Sequence, residues 1–253
     1  MSVVPVLLYH AVTMHPAGGL EDFTVPPQRF VEHVAALRDA GRVGLTVSQF
    51  AACLKNLSQL PERPILVTFD DGYADFLDAA EELTAAGLPS TLYVTTGQVG
   101  RAGMLTRRQL QSLDDAVEVG AHSRTHPRLD ELPPGWLGNE VFGSKADLED
   151  MLQRPVRSFA YPHGDHDHAV RQMVVDAGFD SAAAVKNALS HDRDDPFAIA
   201  RITITAATTA ARIRGLLQGR GAPLAWSRER RATQAYRAYR RMRRRLRREV
   251  RRT

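Results

Sequence analysis

Seven short apolar runs, at residues 3–9, 65–69, 91–95, 117–121, 158–161, 181–185 and 202–205, alternate with segments of helical period. No other feature constrains the fold as much. Alternating β and α units build a mostly parallel sheet, either open and doubly wound or closed into a barrel. The helical segments cover residues 28–40, 48–54, 76–86, 106–113, 139–152, 168–177 and 209–218. Gly41, Gly87 and Gly178 fall where three of these helices should stop, as left-handed caps do. Ser48 and Thr106 occupy N-cap places. Polar clusters then help to choose the architecture: "YH" ends the first run, "DDG" the second, "HSRTH" the fourth and "YPHG" the fifth. A site drawn from the ends of four strands suits the top face of a barrel. An open sheet usually gathers its ligand at one crevice. The expectation is an α/β fold: a distorted TIM-like (β/α) barrel of mostly parallel strands over residues 1–222, followed by an Arg-rich amphipathic helical tail over 223–253.

With 253 residues and 43% apolar composition the chain can bury a substantial core. Its single cysteine, Cys53, excludes an internal disulfide and a cysteine-built zinc site, and reads as a small residue on a helix face. The first apolar run has no basic flank and ends in a histidine, so it reads as a buried strand rather than a signal segment. No run approaches the roughly 18 apolar residues of a membrane span. The expected location is cytoplasmic, with the tail able to reach the inner face of the membrane.

The clusters carry the chemistry. In "AHSRTHP", His122 and His126 stand four apart, so one helical turn or a tight loop puts both imidazoles on one side. That spacing suits two ligands of one divalent ion; a surface loop with incidental histidines is the plainer alternative. Asp70 and Asp71 stand side by side at the end of an apolar run. One carboxylate with two imidazoles makes a hydrolytic set that leaves a position for water and tolerates zinc, iron, cobalt or nickel. Successive side chains in extended backbone point to opposite sides. One aspartate can therefore bind the ion while its neighbour reaches the water, and Gly72 lets the chain turn away. A solvated Asp-Asp-Gly turn is the commoner origin of such a pair, but it fits less well with Val67-Thr68-Phe69 running straight into it.

"TFDDG", "HSRTH" and "FAYPHG", in this order, resemble the motifs of the polysaccharide deacetylase family, the NodB-homology or carbohydrate esterase family 4 domain. The likeness extends through "VPVLLYHAV", "GLPSTLYVTTG" and "GSKADLEDMLQRPVRSFAYPHG", roughly residues 3–205. The resemblance implies a distorted barrel and metal-dependent removal of acetyl groups from the N-acetylated sugars of a polysaccharide, oligosaccharide or lipid-linked glycan. Carried over by motif, Asp71, His122 and His126 hold one divalent ion, zinc first, with cobalt, nickel or iron as alternatives. Asp70 is then the catalytic base. The N–H of the residue after the third motif's proline, here His163, is the oxyanion donor, and Tyr161 joins it in substrate binding. O-acetyl ester hydrolysis by the same site, and a non-catalytic glycan-binding module on the same scaffold, are the alternatives.

Two departures from the family pattern matter. No histidine follows the last strand to protonate the departing amine. Instead Tyr9-His10 ends the first strand, as in the poly-N-acetylglucosamine deacetylase branch, and His10 takes the general-acid role by that likeness. A strand-end histidine that only hydrogen-bonds a loop is its alternative. The third motif also lacks the arginine that commonly orients the catalytic aspartate, having Ala160 there. Arg157 would point to the opposite face. Arg201 could supply the charge from across the barrel, with a plain surface ion pair weighed ahead of that. His163, His166 and His168 form a loose cluster in which none is assigned as a ligand.

From Trp226 onward the chain carries 13 arginines against Glu229 and Glu249, leaving residues 1–225 with a net of −7. Ala232, Tyr236, Tyr239, Met242, Leu246 and Val250 recur at helical steps among those arginines. Such a basic amphipathic helix suits an anionic membrane surface, each basic residue contributing about 1 kcal/mol there. Nucleic acid, an acidic partner or a merely solvated tail are the other readings. The intact chain is therefore expected to float with anionic liposomes while a chain ending at Leu224 does not; equal behaviour of the two would count against a membrane role.

Overall fold

A computed structural model describes residues 1–16, 18–56, 58–226 and 239. Seven parallel strands close into a barrel: β1 (Val6–Tyr9), β2 (Pro64–Phe69), β3 (Ser90–Val94), β4 (Val117–Ala121), β5 (Ser158–Ala160), β6 (Ser181–Val185) and β7 (Ile199–Thr203). Each pairs with the next in chain order, and β7 closes the ring on β1, with Ile202 opposite Leu7 and Leu7 opposite Val67. The helices are α1 (Pro27–Asp39), α2 (Val47–Leu54), α3 (Phe76–Ala85), α4 (Arg107–Gln111), α5 (Pro134–Leu152), α6 (His168–Asp176) and α7 (Ala210–Leu217).

The two-residue period of the strands sorts the core into an outer and an inner layer. On β2, Ile65, Val67 and Phe69 face the helices and pack with Phe30 and Leu37 of α1 and Phe76 and Leu83 of α3. Leu66 faces inward with Val6, Tyr93, Ala160, Ala183 and Ile199. Val47, Phe50 and Ala51 of α2 close the lower end of that inner layer. Fully burying Phe50 there stabilises by roughly 1.5–3 kcal/mol.

Every strand and helix predicted within residues 1–222 is present, and the differences have local causes. Pro5, without an N–H, breaks the first run, so Val3–Val4 pairs separately with Ser190–His191. The N-cap of α2 is Thr46, in a capping box with Gln49, and not Ser48. Ser48 lies inside the first turn and gives its N–H and hydroxyl to Glu118 (2.9 and 2.7 Å). Helix α5 begins at Pro134, five residues before the expected start, with proline at a first-turn position that needs no N–H. Strand β7 begins at Ile199, not 202. Gly41, Gly87 and Gly178 have the positive φ expected of caps (55°, 70° and 76°).

Beyond α7 the chain stays on the barrel, Ala225 donating to the Leu189 carbonyl at 2.7 Å. The predicted amphipathic helix lies outside the described residues except for Tyr239. Among the described residues no helix is long and apolar enough to cross a membrane.

Candidate metal and catalytic site

Asp70 continues the inward face of β2 after Leu66 and Thr68, and only 3% of its surface is exposed. Asp71 and Gly72 then take positive φ (74° and 88°), which reverses the chain. The two carboxylates therefore reach the same space from different directions, as extended backbone alone would not allow. The turn is held by Asp70 N–H on the Tyr9 carbonyl (3.0 Å) and by Leu105 N–H on that of Gly72 (3.0 Å).

Arg201 faces inward from β7 and is fully buried. Its guanidinium grips Asp70 in a fork, Nη1 to Oδ1 at 2.6 Å and Nη2 to Oδ2 at 2.9 Å. Nε donates to the Ala184 carbonyl at 3.3 Å and Nη1 also to Thr68 Oγ1 at 3.3 Å. The surface ion pair weighed for this residue is thereby corrected to a buried, bidentate one. Burial alone would push the Asp70 carboxyl up; Arg201, followed by His122, outweighs it and holds the group down at about 2.

His122 extends the inward face of β4, after Glu118 and Gly120, and is 1% exposed. Its Nδ1 donates to the Ala160 carbonyl at 2.8 Å, which fixes the tautomer and leaves a lone pair on Nε2. The loop that follows carries His126 back over it, with Ser123 and His126 both at left-handed φ (61° and 60°). Non-glycine residues held so cost about 1 kcal/mol or more each, a strain that collects at functional sites.

The donor atoms of Asp71, His122 and His126 converge. His122 Nε2 lies 3.2 Å from His126 Nε2, and Asp71 Oδ1 lies 3.6 and 3.4 Å from the two nitrogens. Ligands about 2.0–2.1 Å from a tetrahedral ion stand ~3.3 Å apart, so the three fit one divalent ion with no rearrangement. Their protonation agrees. Burial pushes His122 down to about 3 and lowers His126 as well, keeping both imidazoles neutral. Burial pushes Asp71 up to about 6, His10 opposing and the neighbouring Asp70 charge adding. A dication would reverse that last shift. The Tyr73 hydroxyl donates to Asp71, a contact absent from the sequence reading.

These groups line one cavity of about 410 Å³ together with His10, His163 and Arg128. The His10 ring packs on Phe23 (5.2 Å between centroids), and its Nδ1 has no hydrogen-bond partner among the described residues. His163 sits at φ 59° in the turn after β5, its ring edge-on to His126 at 4.5 Å. Burial, with His126 and Arg128 adding, pushes it down to about 4. Gly164 beside it approaches the main chain of β6 so closely that a Cβ would stand 2.7 Å from Val185 N.

Tyr161, expected at the substrate, is not brought to the cavity. Its ring is fully buried, stacked on His166 at 4.3 Å, and its hydroxyl donates to the Phe197 carbonyl at 2.9 Å. Arg128 does line the cavity, paired with Asp165, and sequence reasoning had not singled it out.

Residues 58–182 match the family model described as polysaccharide deacetylase. The Bacillus subtilis (strain 168) protein YxkH, named as a candidate polysaccharide deacetylase, is 23% identical over 204 residues, 80% of this chain and 71% of its own length. Among solved structures, the Streptococcus pyogenes deacetylase PplD, in complex with acetate, superposes with a TM-score of 0.77 at 23% identity, over 85% of this chain and 97% of that one. BC0361, a polysaccharide deacetylase from Bacillus cereus, gives 0.74 at 26% identity, over 85% and 69%.

Removing one partner of the buried pair measures what it costs to leave the other charge unpaired. Arg201→Met is expected to lower the unfolding free energy by about 3–5 kcal/mol, because it leaves a buried carboxylate unpaired. Adding Asp70→Asn should return most of that loss. Denaturant unfolding of both variants beside the parent chain checks it, and parental stability in the single variant would refute it.

Proposed function

The chain carries a polysaccharide deacetylase domain, and we propose that its site removes acetyl groups from N-acetylated sugars with the help of one divalent ion. Asp71, His122 and His126 would hold the ion, and two nitrogens with one oxygen suit zinc first, then cobalt, nickel or iron. The observation that carries the reading is a single cavity in which three ligand atoms at tetrahedral spacing stand beside a carboxylate fixed by a buried arginine.

A bound dication would supply Lewis acidity and bring the pKa of water towards about 7. The chain's own residues do the rest. Arg201 keeps Asp70 ionised and fixed in direction, so Asp70 can accept the proton of the attacking water. The N–H of His163 is the candidate donor to the oxyanion. His10, on the cavity wall, gives its proton to the departing amine. An O-acetyl ester needs that acid less, because an alkoxide leaves more readily than an amide anion; His10 therefore favours the amide reading over O-deacetylation. A glycan-binding module would have no physical use for a buried Asp70–Arg201 pair next to three converging ligands.

Elemental mass spectrometry of the purified chain and of His126→Ala is the direct test, followed by acetate release from N-acetylglucosamine oligomers and from an O-acetylated glycan. One divalent ion per chain, lost in the variant, with release from the oligomers is expected. No ion after incubation with zinc, cobalt or nickel would overturn the reading. His10→Ala should keep its ion and lose at least about 100-fold in turnover on the amide, with a smaller loss on the ester. Unchanged amide turnover would remove His10 from the mechanism.

A further inference from the structure

We infer that Glu140, on α5, is a positioning residue that holds the 122–126 loop in its ligand-presenting shape before any ion arrives. The inference rests on the metal-site reading above.

The loop's two strained residues, Ser123 and His126, enclose Arg124 and Thr125. Both N–H groups donate to one oxygen of Glu140, Oε2, at 2.8 Å each. The Thr125 hydroxyl donates to the other oxygen, Oε1, at 2.7 Å. Glu140 is 5% exposed, and these three bonds all go to the same four-residue turn. The opposite edge of the loop is also held. The carbonyls of Ser123 and Arg124 accept from Thr96 N–H (3.1 Å) and Gly97 N–H (2.8 Å), just past β3. Gly97 has no room for a side chain, because a Cβ would stand 2.5 Å from the Arg124 oxygen.

Arg124 does not compete for Glu140. Its guanidinium is drawn along α5 to Asp147 (Nε to Oδ2, 2.9 Å) and Asn139 (Nη1 to Oδ1, 2.9 Å). Glu140 is therefore a buried carboxylate spent on the geometry of Arg124 and Thr125, the two residues just before His126. Relaxing the loop would displace His126 Nε2 from its 3.2 and 3.4 Å spacings to His122 and Asp71. Partners that orient metal ligands in this way commonly change metal affinity 10–100-fold when removed.

Glu140→Gln separates shape from charge. Its amide oxygen can accept both N–H groups while its NH2 donates to Thr125 Oγ1, whereas Glu140→Ala keeps none of these bonds. Zinc affinity would be measured on the full chain by chelator competition. Amide hydrogen exchange at Arg124 and Thr125 would be followed in the metal-free protein. Glu140→Gln should stay within about threefold of the parent affinity, and Glu140→Ala should lose at least about tenfold. Exchange at the two amides should accelerate in Glu140→Ala far more than at the amides of β4. Parental zinc affinity in Glu140→Ala, or unchanged exchange at the two amides, would overturn the proposal. If the parent chain takes up no zinc, the metal reading fails, and the exchange data alone still decide the clamp. If Glu140→Ala does not fold, Thr125→Val deletes one of the three donors from the loop side. Faster exchange at Arg124 would then support the clamp, and parental exchange would refute it.

Discussion

The fork between Arg201 and Asp70 sets the terms for the upper half of the barrel. Moving a guanidinium and a carboxylate out of water costs several kcal/mol per ion, and is tolerated only where geometry is good and the remaining donors are used. Here they are. Two N–H groups bind the carboxylate, Nε binds the Ala184 carbonyl, and the guanidinium lies 5.3 Å from the centre of the Tyr93 ring. Thr68, which accepts from Nη1, donates its own hydroxyl hydrogen bond to the Leu7 carbonyl, so one polar chain links β7, β2 and β1. These are the strands at which the ring closes.

A second polar network stands at the opposite end. Glu118 accepts from Ser48 N–H and hydroxyl, from Thr91 and from the Ser158 hydroxyl, and so fastens α2 beneath β3, β4 and β5. Between the two networks the inner layer is apolar and narrow. Gly120 illustrates how narrow it is: a Cβ there would stand 2.6 Å from both the Tyr93 ring and Ser158 Oγ. The charge that the resembled family draws from its third motif comes in this chain from another strand, and Ala160 is left as a small buried wall residue.

How far the sequence revealed this depended on whether the signal was local. Strands and helices were legible because each is written in its own period and caps. Asp71, His122 and His126 could be singled out as candidate ligands because their motifs are contiguous, and the structure brings their donor atoms together. Arg201 was misjudged because the alanines around it hid the start of β7. Begun at Ile199, the same strand puts Ile199, Arg201 and Thr203 on one face, and period two then aims the arginine inward. The same period puts the Tyr161 ring with Phe159, on the side away from the cavity. Glu140 and Tyr73 gave no signal at all. Their roles depend on how a distant helix or a turned chain meets the loop, which no spacing encodes.

The electrostatics of the site follow from dividing labour between the adjacent aspartates. Arg201 pairs with Asp70, and burial keeps His122 and His126 neutral, so Asp71 is the anionic member of the candidate ligand set. That leaves Asp71 raised to about 6, a carboxyl in want of a positive partner. An ion taken up there would meet one anionic ligand and two neutral ones, and would keep more of its positive charge than if both aspartates were ligands. Greater residual charge means stronger polarisation of an acyl oxygen and a more acidic water. The repulsion between the neighbouring carboxylates is offset when each has a positive partner of its own. Asp70 has that partner in a buried arginine, and an ion held at Asp71 would be the other.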